Sequence, residues 1–530
     1  MSLSNIDFVN AAPVSIVPFG NVAIRLNPID DVAIAKVTLL AGTILDLGGG
    51  TQIKVLRLIA SGHKIALRDI ALGEPLRRYG QIIGFATQTI PAGEHVHLHN
   101  LAVGDFARDY AFGTEIQPVT YVPEAQRRTF LGYKRPDGRV GTRNYIGVIS
   151  NVNCSAHTTR KIAHYFTPER LAAYPNVDGV IALAHLAGCA NKSGGLDMVL
   201  LQRTLAGMAQ HANIAAYILV GLGCESNQIS EIVENYALRD SRQPTQAPPS
   251  LTIQGMGGIR KTIEAGIAAI EELLPLANAV TRTPQPISEL IVALQCGGSD
   301  SWSGITANPL VGLIADEIVR QGGTAVLAET PEIYGAEHLL TRRAISPAVG
   351  DALIAKVRWW EQHTKRLNIE MDNNPSVGNK AGGLTTILEK SLGAVAKGGS
   401  TPLMGVYDYA EPVTARGFTF MDSPGYDPVS VTGQVAGGCN LVLFTTGRGS
   451  AFGFKPAPSI KIVSNTATYE HMIDDMDVNA GCIMEGTDMT QTAADLLDLV
   501  IAVASGQPSK SEAQDVGESE FNPWNLGGVL

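Results

Sequence analysis

The sequence predicts a multi-domain chain: a small all-β, clip-like module over residues 1–105, then α/β regions with largely parallel, Rossmann-like sheets. Three observations predict it. Up to about residue 105, short apolar runs alternate with turn signals. From residue 144 the runs become continuous and alternate with amphipathic stretches, the pattern of strands buried on both faces. The 56 glycines gather directly after apolar runs, where a strand hands over to a helix. At 530 residues the chain is too long for one compact domain. Its 45% apolar and 17% charged residues argue for a large core and for subunit contacts, a homodimer or larger.

The module reads as strands VSIVPF, VAIRL, VAIAKV, IKVLRLIA and IIGFA, with one turn recurring at Ala41-Gly42, Leu72-Gly73 and Ala92-Gly93. Residues 106–128 lack apolar periodicity and read as a linker. An α/β domain is expected over 129–280. It has strands YIGVI at 145–149, VDGVIALAH at 177–185 and AAYILVGLG at 215–223, separated by helical patterns at 156–165 and in LDMVLLQRTLAGMAQ. SRQPTQAPPS at 241–250 reads as a surface loop and TRTPQPIS at 281–288 as a boundary. A C-terminal α/β catalytic domain is expected over 281–530, with strands in ELIVALQC, TAVLAE and NLVLFTTG and a polar tail from about 507 that packs over a neighbour near Pro523-Trp524.

Forty Lys and Arg against fifty Asp and Glu leave a net charge of −10. That balance argues against a nucleic-acid footprint, which needs a basic surface, and disfavours anionic membranes. No apolar run approaches the ~18 residues of a membrane span. MSLSNIDFVN lacks a basic segment followed by an apolar one, so no secretory signal is expected, and six cysteines in so long a chain are not a disulfide framework. A reduced, cytoplasmic protein is expected.

Ligands of open α/β sheets bind beyond the carboxyl ends of the strands, so the residues after each apolar run are the place to search. They are Asn153-Cys154-Ser155, then His185 with Gly188-Cys189, then Cys224-Glu225, then Cys296-Gly297-Gly298-Ser299-Asp300. Four of the six cysteines thus hold the same topological position; a packed core thiol is the alternative for each. Their spacing is not C-x-x-C, so no structural zinc site is indicated. In HVHLH a spacing of two puts His95, His97 and His99 on one strand face, which with His63-Lys64 makes either a metal or acid face or a solvated one. Asn379-Lys380-Ala381-Gly382-Gly383 and Thr446-Gly447-Arg448-Gly449 are anion-holding turns or ordinary Gly-rich ones. Glu329 and Glu332 are a base, hard metal ligands or helix starts.

The stretches GEHVHLHN, DGRVGTRN, GLGCE, CGGSDSWSGITANP, NPSVGNKAGG and FTTGRG resemble those of the altronate/galactarate dehydratases, from about residue 20 to the C-terminus. The β module resembles the SAF (β-clip) domain of these enzymes. The resemblance implies dehydration of a sugar acid, an altronate-type aldonate, to a 2-keto-3-deoxy acid. A proton is removed beside the carboxylate, the 3-hydroxyl leaves, and ferrous iron (or Mn2+ or Mg2+) assists. His185, Cys189, Cys224, Glu225 and Cys296 are the expected metal environment, and an Fe–S cluster held by three or four thiolates is a further option. His97, Lys64, Glu329 and Lys380 are expected in catalysis. Arg143, Asn144, Ser299, Asp300, Ser303, Asn379 and Arg448 are expected on the substrate. A galactarate dehydratase is the near alternative. An NAD(P)-dependent sugar-acid oxidoreductase is a remoter one, disfavoured because G-x-G-x-x-G is missing. A non-catalytic sugar-acid sensor is the third reading.

Overall fold

Four glycine turns shape the N-terminal module in the computed structural model, which describes residues 15–527 apart from 105 and 107. Gly42, Gly62, Gly73 and Gly93 all have φ near +80 to +90°. Each donates its N–H across the module, to the carbonyls of Val55, Ala35, Ala86 and Ala66 respectively. The turn therefore recurs once more than the sequence pattern shows, because Ser61 precedes Gly62 where the other turns have Ala or Leu. At Gly93 a Cβ would lie 1.9 Å from the Lys54 carbonyl oxygen, so only glycine fits. The turns link short antiparallel strands, four of which (Ala23–Ile24, Val32–Ala35, Lys64–Ala66 and His95–Val96) form one sheet in that order. Ala33, Leu45, Ile59 and Ile65 are buried beneath them.

This module, Met1–Ala107, forms one compact unit together with Asp372–Leu392, a segment that the sequence reading places in the C-terminal α/β domain. The reason is electrostatic. The fully buried Glu389 carboxylate accepts from Lys64 Nζ at 2.9 and 3.0 Å and from Arg78 Nη1 at 2.5 Å. Thr385 adds its N–H at 2.8 Å and its hydroxyl at 2.6 Å.

The second unit comprises Arg108–Met371 and Gly393–Leu530, so both expected α/β domains belong to a single contact unit. Residues from 108 onward in the expected linker are a strap on this unit, tied by Arg108 Nη1 and Tyr110 Oη to Glu337 at 2.9 and 2.7 Å. A four-stranded parallel sheet runs in the order Gly179–Leu183, Tyr145–Ser150, Ile214–Gly221, Ser250–Thr252. A seven-stranded parallel sheet runs Leu403–Tyr407, Gly417–Met421, Thr324–Ala328, Ile291–Cys296, Leu441–Thr446, Ser459–Val463, Val478–Asn479. One apolar core reaches from Ile149, Leu183 and Leu219 of the first sheet to Ala293, Val326 and Phe444 of the second. Helices Leu196–Ala209 and Asp427–Ala436 meet within it, where a Cβ on Gly207 would lie 2.2 Å from the Ala436 carbonyl oxygen. On the other face of the four-stranded sheet, helices Ala156–Ala163 and Ile259–Asn278 cover Ile146, Val148 and Ile218.

The expected boundary at 281–288 contains an edge strand, Thr283–Pro286, antiparallel to Thr129–Lys134. Prolines are tolerated there because an edge strand needs only one side of its hydrogen-bond ladder. The tail packs on its own unit: Trp524 stacks on Trp360 at 5.5 Å and meets Tyr409 edge-on. Among the described residues no helix is long and apolar enough to cross a membrane.

The buried ion triad makes the first unit sensitive to charge. Burial opposes ionisation of Glu389, but the Lys64 and Arg78 charges outweigh it and hold the carboxyl at about 2, below its ordinary value near 4.5. A depressed carboxyl stabilises the fold above its ordinary value, and that stabilisation is lost as pH falls through the folded value. Circular dichroism should therefore show the first unit weakening from about pH 4.5 toward 2. Glu389→Ala should cost about 3–5 kcal/mol in denaturant unfolding, because two buried cations lose their partner.

Candidate functional site

Both parallel sheets have a switch point, where successive connections leave a central strand in opposite directions. From Tyr145–Ser150 the chain moves to Gly179–Leu183 on one side and to Ile214–Gly221 on the other; from Ile291–Cys296 it moves to Thr324–Ala328 and, later, to Leu441–Thr446. The loops beyond these strands carry most of the expected site residues.

Beyond the seven-stranded sheet, Cys296 Sγ donates to Glu332 Oε2 at 2.8 Å, and Lys397 Nζ lies 3.6 Å from the same oxygen. Gln295 Nε2 donates to Glu329 and, at 3.4 Å, to Asp427 Oδ1. All but Asp427 are buried. Burial, then the Glu332 and Asp427 charges, raise the Glu329 carboxyl well above the usual carboxylate range. Burial opposes the charge on Lys397, yet Cys296, Glu332 and Glu329 outweigh it and raise the ammonium pKa. Glu329 is also a backbone outlier, at φ 71° and ψ 82°, just after its strand. Non-glycine residues held at positive φ cost about 1–3 kcal/mol and cluster at functional sites.

Neighbouring expected residues are committed to the fold. Asp300 accepts from the Ser303 amide and hydroxyl, Ser464 Oγ and Asn465 Nδ2 at 2.8–3.2 Å. It thus locks its loop to the one after Ser459–Val463, and Ser303 serves the lock. The Gly447 and Arg448 amides both donate to the Gly298 carbonyl, so the two switch-point loops are tied backbone to backbone. Ser299 is buried in that junction, while the Arg448 side chain is exposed.

The expected substrate cation Arg143 is a structural residue. Its guanidinium pairs with Glu512 through two bonds of 2.7 Å and donates to the carbonyls of Thr142, Val503 and Gln507. These five bonds match its five donors, leaving none for a substrate. Asn144 accepts from Arg135 and donates to Asn176 and Ala277, so it too is filled.

The expected metal set is also rearranged. Buried His185 engages both ring nitrogens, Nε2 with the Ser150 carbonyl at 2.9 Å and Nδ1 with the Ala187 amide at 3.1 Å. Burial lowers its pKa to about 4. Glu225 turns inward and accepts from the Leu222 and Gly223 amides at 3.2 and 2.5 Å. Cys296 is buried in the second sheet's cluster, whereas Cys189 and Cys224 are exposed beyond the first.

Within the first unit, His63, His95 and His97 present one nitrogen each, all within 4.8 Å of one another. It is the one such group of three His, Cys, Asp or Glu found among the described residues. His63 Nδ1 faces His95 Nε2 at 3.0 Å, and His97 Nδ1 is buried without a hydrogen-bond partner. The expected third member, His99, is exposed, because the strand stops at Val96. Asn100 closes a turn there, accepting from the His97 amide and donating to the His95 carbonyl, both at 2.9 Å. His63 joins instead because the Lys64–Val96 pairing sets it alongside His97 on the neighbouring strand. Burial, followed by neighbouring positive groups, lowers His95 to about 3 and His97 to about 4. Neutral imidazoles are the metal-binding form, and three of them fit a borderline divalent cation better than magnesium, which prefers oxygen.

Lys64 belongs to the opposite strand face, since alternate residues point to opposite sides. Burial brings it to about 8, but its Nζ donates to Glu389 and to the Gly383 carbonyl at 2.6 Å. Asn379 caps its own short helix with Ser376, which accounts for its burial, and Lys380 is half-buried on the same turn.

Sequence reading missed Gln295, Lys397 and Asp427. Lys397 carried a signal, a lone lysine after the apolar run LGAVA, which calls for a buried partner. Gln295 and Asp427 carried none.

Comparison with known proteins places these features in context. A family model described as D-galactarate/altronate dehydratase, C-terminal, matches residues 287–529. One described as D-galactarate dehydratase/altronate hydrolase, second domain, matches 132–278. The altronate/galactarate dehydratase SAF domain matches 21–104. The chain is 35% identical to the altronate dehydratase of Bacillus subtilis (strain 168), covering 88% of this chain and 92% of that protein. It is 34% identical to the altronate dehydratase of Escherichia coli (strain K12), covering 93% and 97%. It is 33% identical to the galactarate dehydratase (L-threo-forming) of the same organism, covering 91% and 93%.

The histidine group makes a direct prediction. Equilibrium dialysis against Co2+ or Fe2+ should show binding that His95→Ala weakens at least about tenfold, since one of three ligands is lost. His99→Ala should leave it unchanged.

Proposed function

Because the chain belongs to the altronate/galactarate dehydratase family of hydro-lyases, we propose that it dehydrates an altronate-type aldonate to its 2-keto-3-deoxy acid in a metal-dependent reaction. The observation that carries the metal dependence is the group of three neutral imidazoles at His63, His95 and His97. The proton beside a carboxylate is very weakly acidic, and the enediolate left by its removal must be stabilised where its charge develops. A divalent cation supplies Lewis-acid polarisation for that purpose when bound. The nitrogen-rich donor set favours ferrous iron over manganese or magnesium.

Each unit carries groups with chemistry of their own. Burial keeps the three imidazoles neutral at physiological pH, so no proton has to be displaced before they ligate. In the second unit, burial and then the Glu332 and Asp427 charges favour the protonated form of the Glu329 carboxyl, the form that can protonate a departing hydroxyl. The exposed Arg448, next to a loop junction fixed by Asp300, is suited to a substrate carboxylate. The proposed setting is cytoplasmic, where six free cysteines stay reduced, and the proposed assembly is a homodimer or larger.

The test is a screen of aldonates and aldarates for 2-keto-acid formation, run anaerobically with ferrous iron. Altronate should give product; galactarate as the preferred substrate would move the reading to the near alternative. Keto acid from none of them would overturn it. Glu329→Gln should lower kcat by about 10²–10⁴, the usual contribution of a general acid. Light scattering should report a dimer or larger at micromolar concentration.

A further inference from the structure

We propose that Cys154, Cys189 and Cys224 form a three-thiolate site for an iron–sulfur cluster of the 4Fe–4S class. The three sit beyond the carboxyl ends of three adjacent parallel strands, Tyr145–Ser150, Gly179–Leu183 and Ile214–Gly221, each within six residues of its strand's last residue. Adjacent strands lie about 4.8 Å apart, so the sheet delivers all three to one edge.

The loops that carry them are bound to one another. The Asn153 amide donates to the Ala187 carbonyl at 2.8 Å, and the Asn227 amide to the Gly188 carbonyl at 3.1 Å. Asn227 Nδ2 reaches the Asn151 carbonyl at 2.9 Å. A Cβ on Gly188 would lie 2.7 Å from the Asn151 oxygen, so the Cys189 loop rests directly on the Cys154 loop. The loops that bear the three thiols are thus hydrogen-bonded to one another.

All three are exposed, although cysteine is among the most buried residue types. The harder donors nearby turn away, His185 and Glu225 both being engaged by backbone groups inside the fold. What this edge presents is sulfur. Gln254, beyond the fourth strand, donates its amide to Cys224 Sγ at 3.3 Å, the kind of N–H···S contact that stabilises a thiolate and tunes a cluster.

The sulfurs are not grouped tightly enough for a single tetrahedral ion. Thiolates on one tetrahedral ion with bonds of about 2.3 Å lie about 3.8 Å apart. The three sulfurs do not form a group within 4.8 Å. A cluster accepts a wider set, because each thiolate binds a different iron. Three thiolates leave its fourth iron open to an exchangeable oxygen ligand such as a carboxylate or hydroxyl.

The experiment uses the full-length protein, purified anaerobically and reconstituted with ferrous iron and sulfide. Wild type should retain about four acid-labile sulfides per chain, with broad visible absorption near 400 nm. Cys154→Ser, Cys189→Ser and Cys224→Ser should each lose most of the sulfide and absorbance while keeping the wild-type circular dichroism. Cys482→Ser should retain both, and His95→Ala should lose only iron that is not accompanied by sulfide. No sulfide in the wild type, or sulfide unchanged in the three variants, would overturn the site. The dehydratase reading fails separately, if a sulfide-bearing protein is inactive on every sugar acid.

Discussion

A parallel strand buried on both faces leaves polar side chains few places other than its ends, and the second unit is built on that constraint. Every residue of Tyr145–Ser150, Thr324–Ala328, Gly417–Met421, Leu441–Thr446 and Ser459–Val463 is buried. The chemistry-bearing residues therefore collect in the loops beyond the carboxyl ends. The common direction of the strands brings those loops together from positions as far apart in sequence as Cys296 and Arg448.

Gathering polar groups in a small volume creates a second demand, since each buried one needs a partner. Asp300 meets it with Ser303, Ser464 and Asn465, and Glu225 with two backbone amides. These side chains hold the loops rather than a ligand. The residues left with chemical character are those the fold does not fully neutralise: Glu329, crowded by other carboxylates in a strained backbone position, and the exposed thiols of the first sheet.

The N-terminal unit solves the same problem on a smaller scale. One strand face carries Lys64 into a buried triad with Glu389 and Arg78, where two cations and one carboxylate fix Asp372–Leu392 onto the module. The other face carries His63, His95 and His97, whose neutrality follows from burial and from the positive charge of Lys64 behind them. The structural ion group thus helps set the protonation state of the candidate metal ligands.

The sequence by itself determined the fold class, the family and the strand ends as the place to look. Periodicity, glycine turns and long motifs are local properties, readable without knowing which segments meet. It could not separate Arg143, which is wholly used by Glu512 and three carbonyls, from Arg448, which is exposed, because both follow the same kind of motif. It placed His99 in the histidine face and Asp372–Leu392 in the wrong unit, because a turn closed by Asn100 and a partner for Glu389 some 300 residues away are not local. Which donors remain free is decided only when every buried polar group has found its partner, and that accounting exists only in three dimensions.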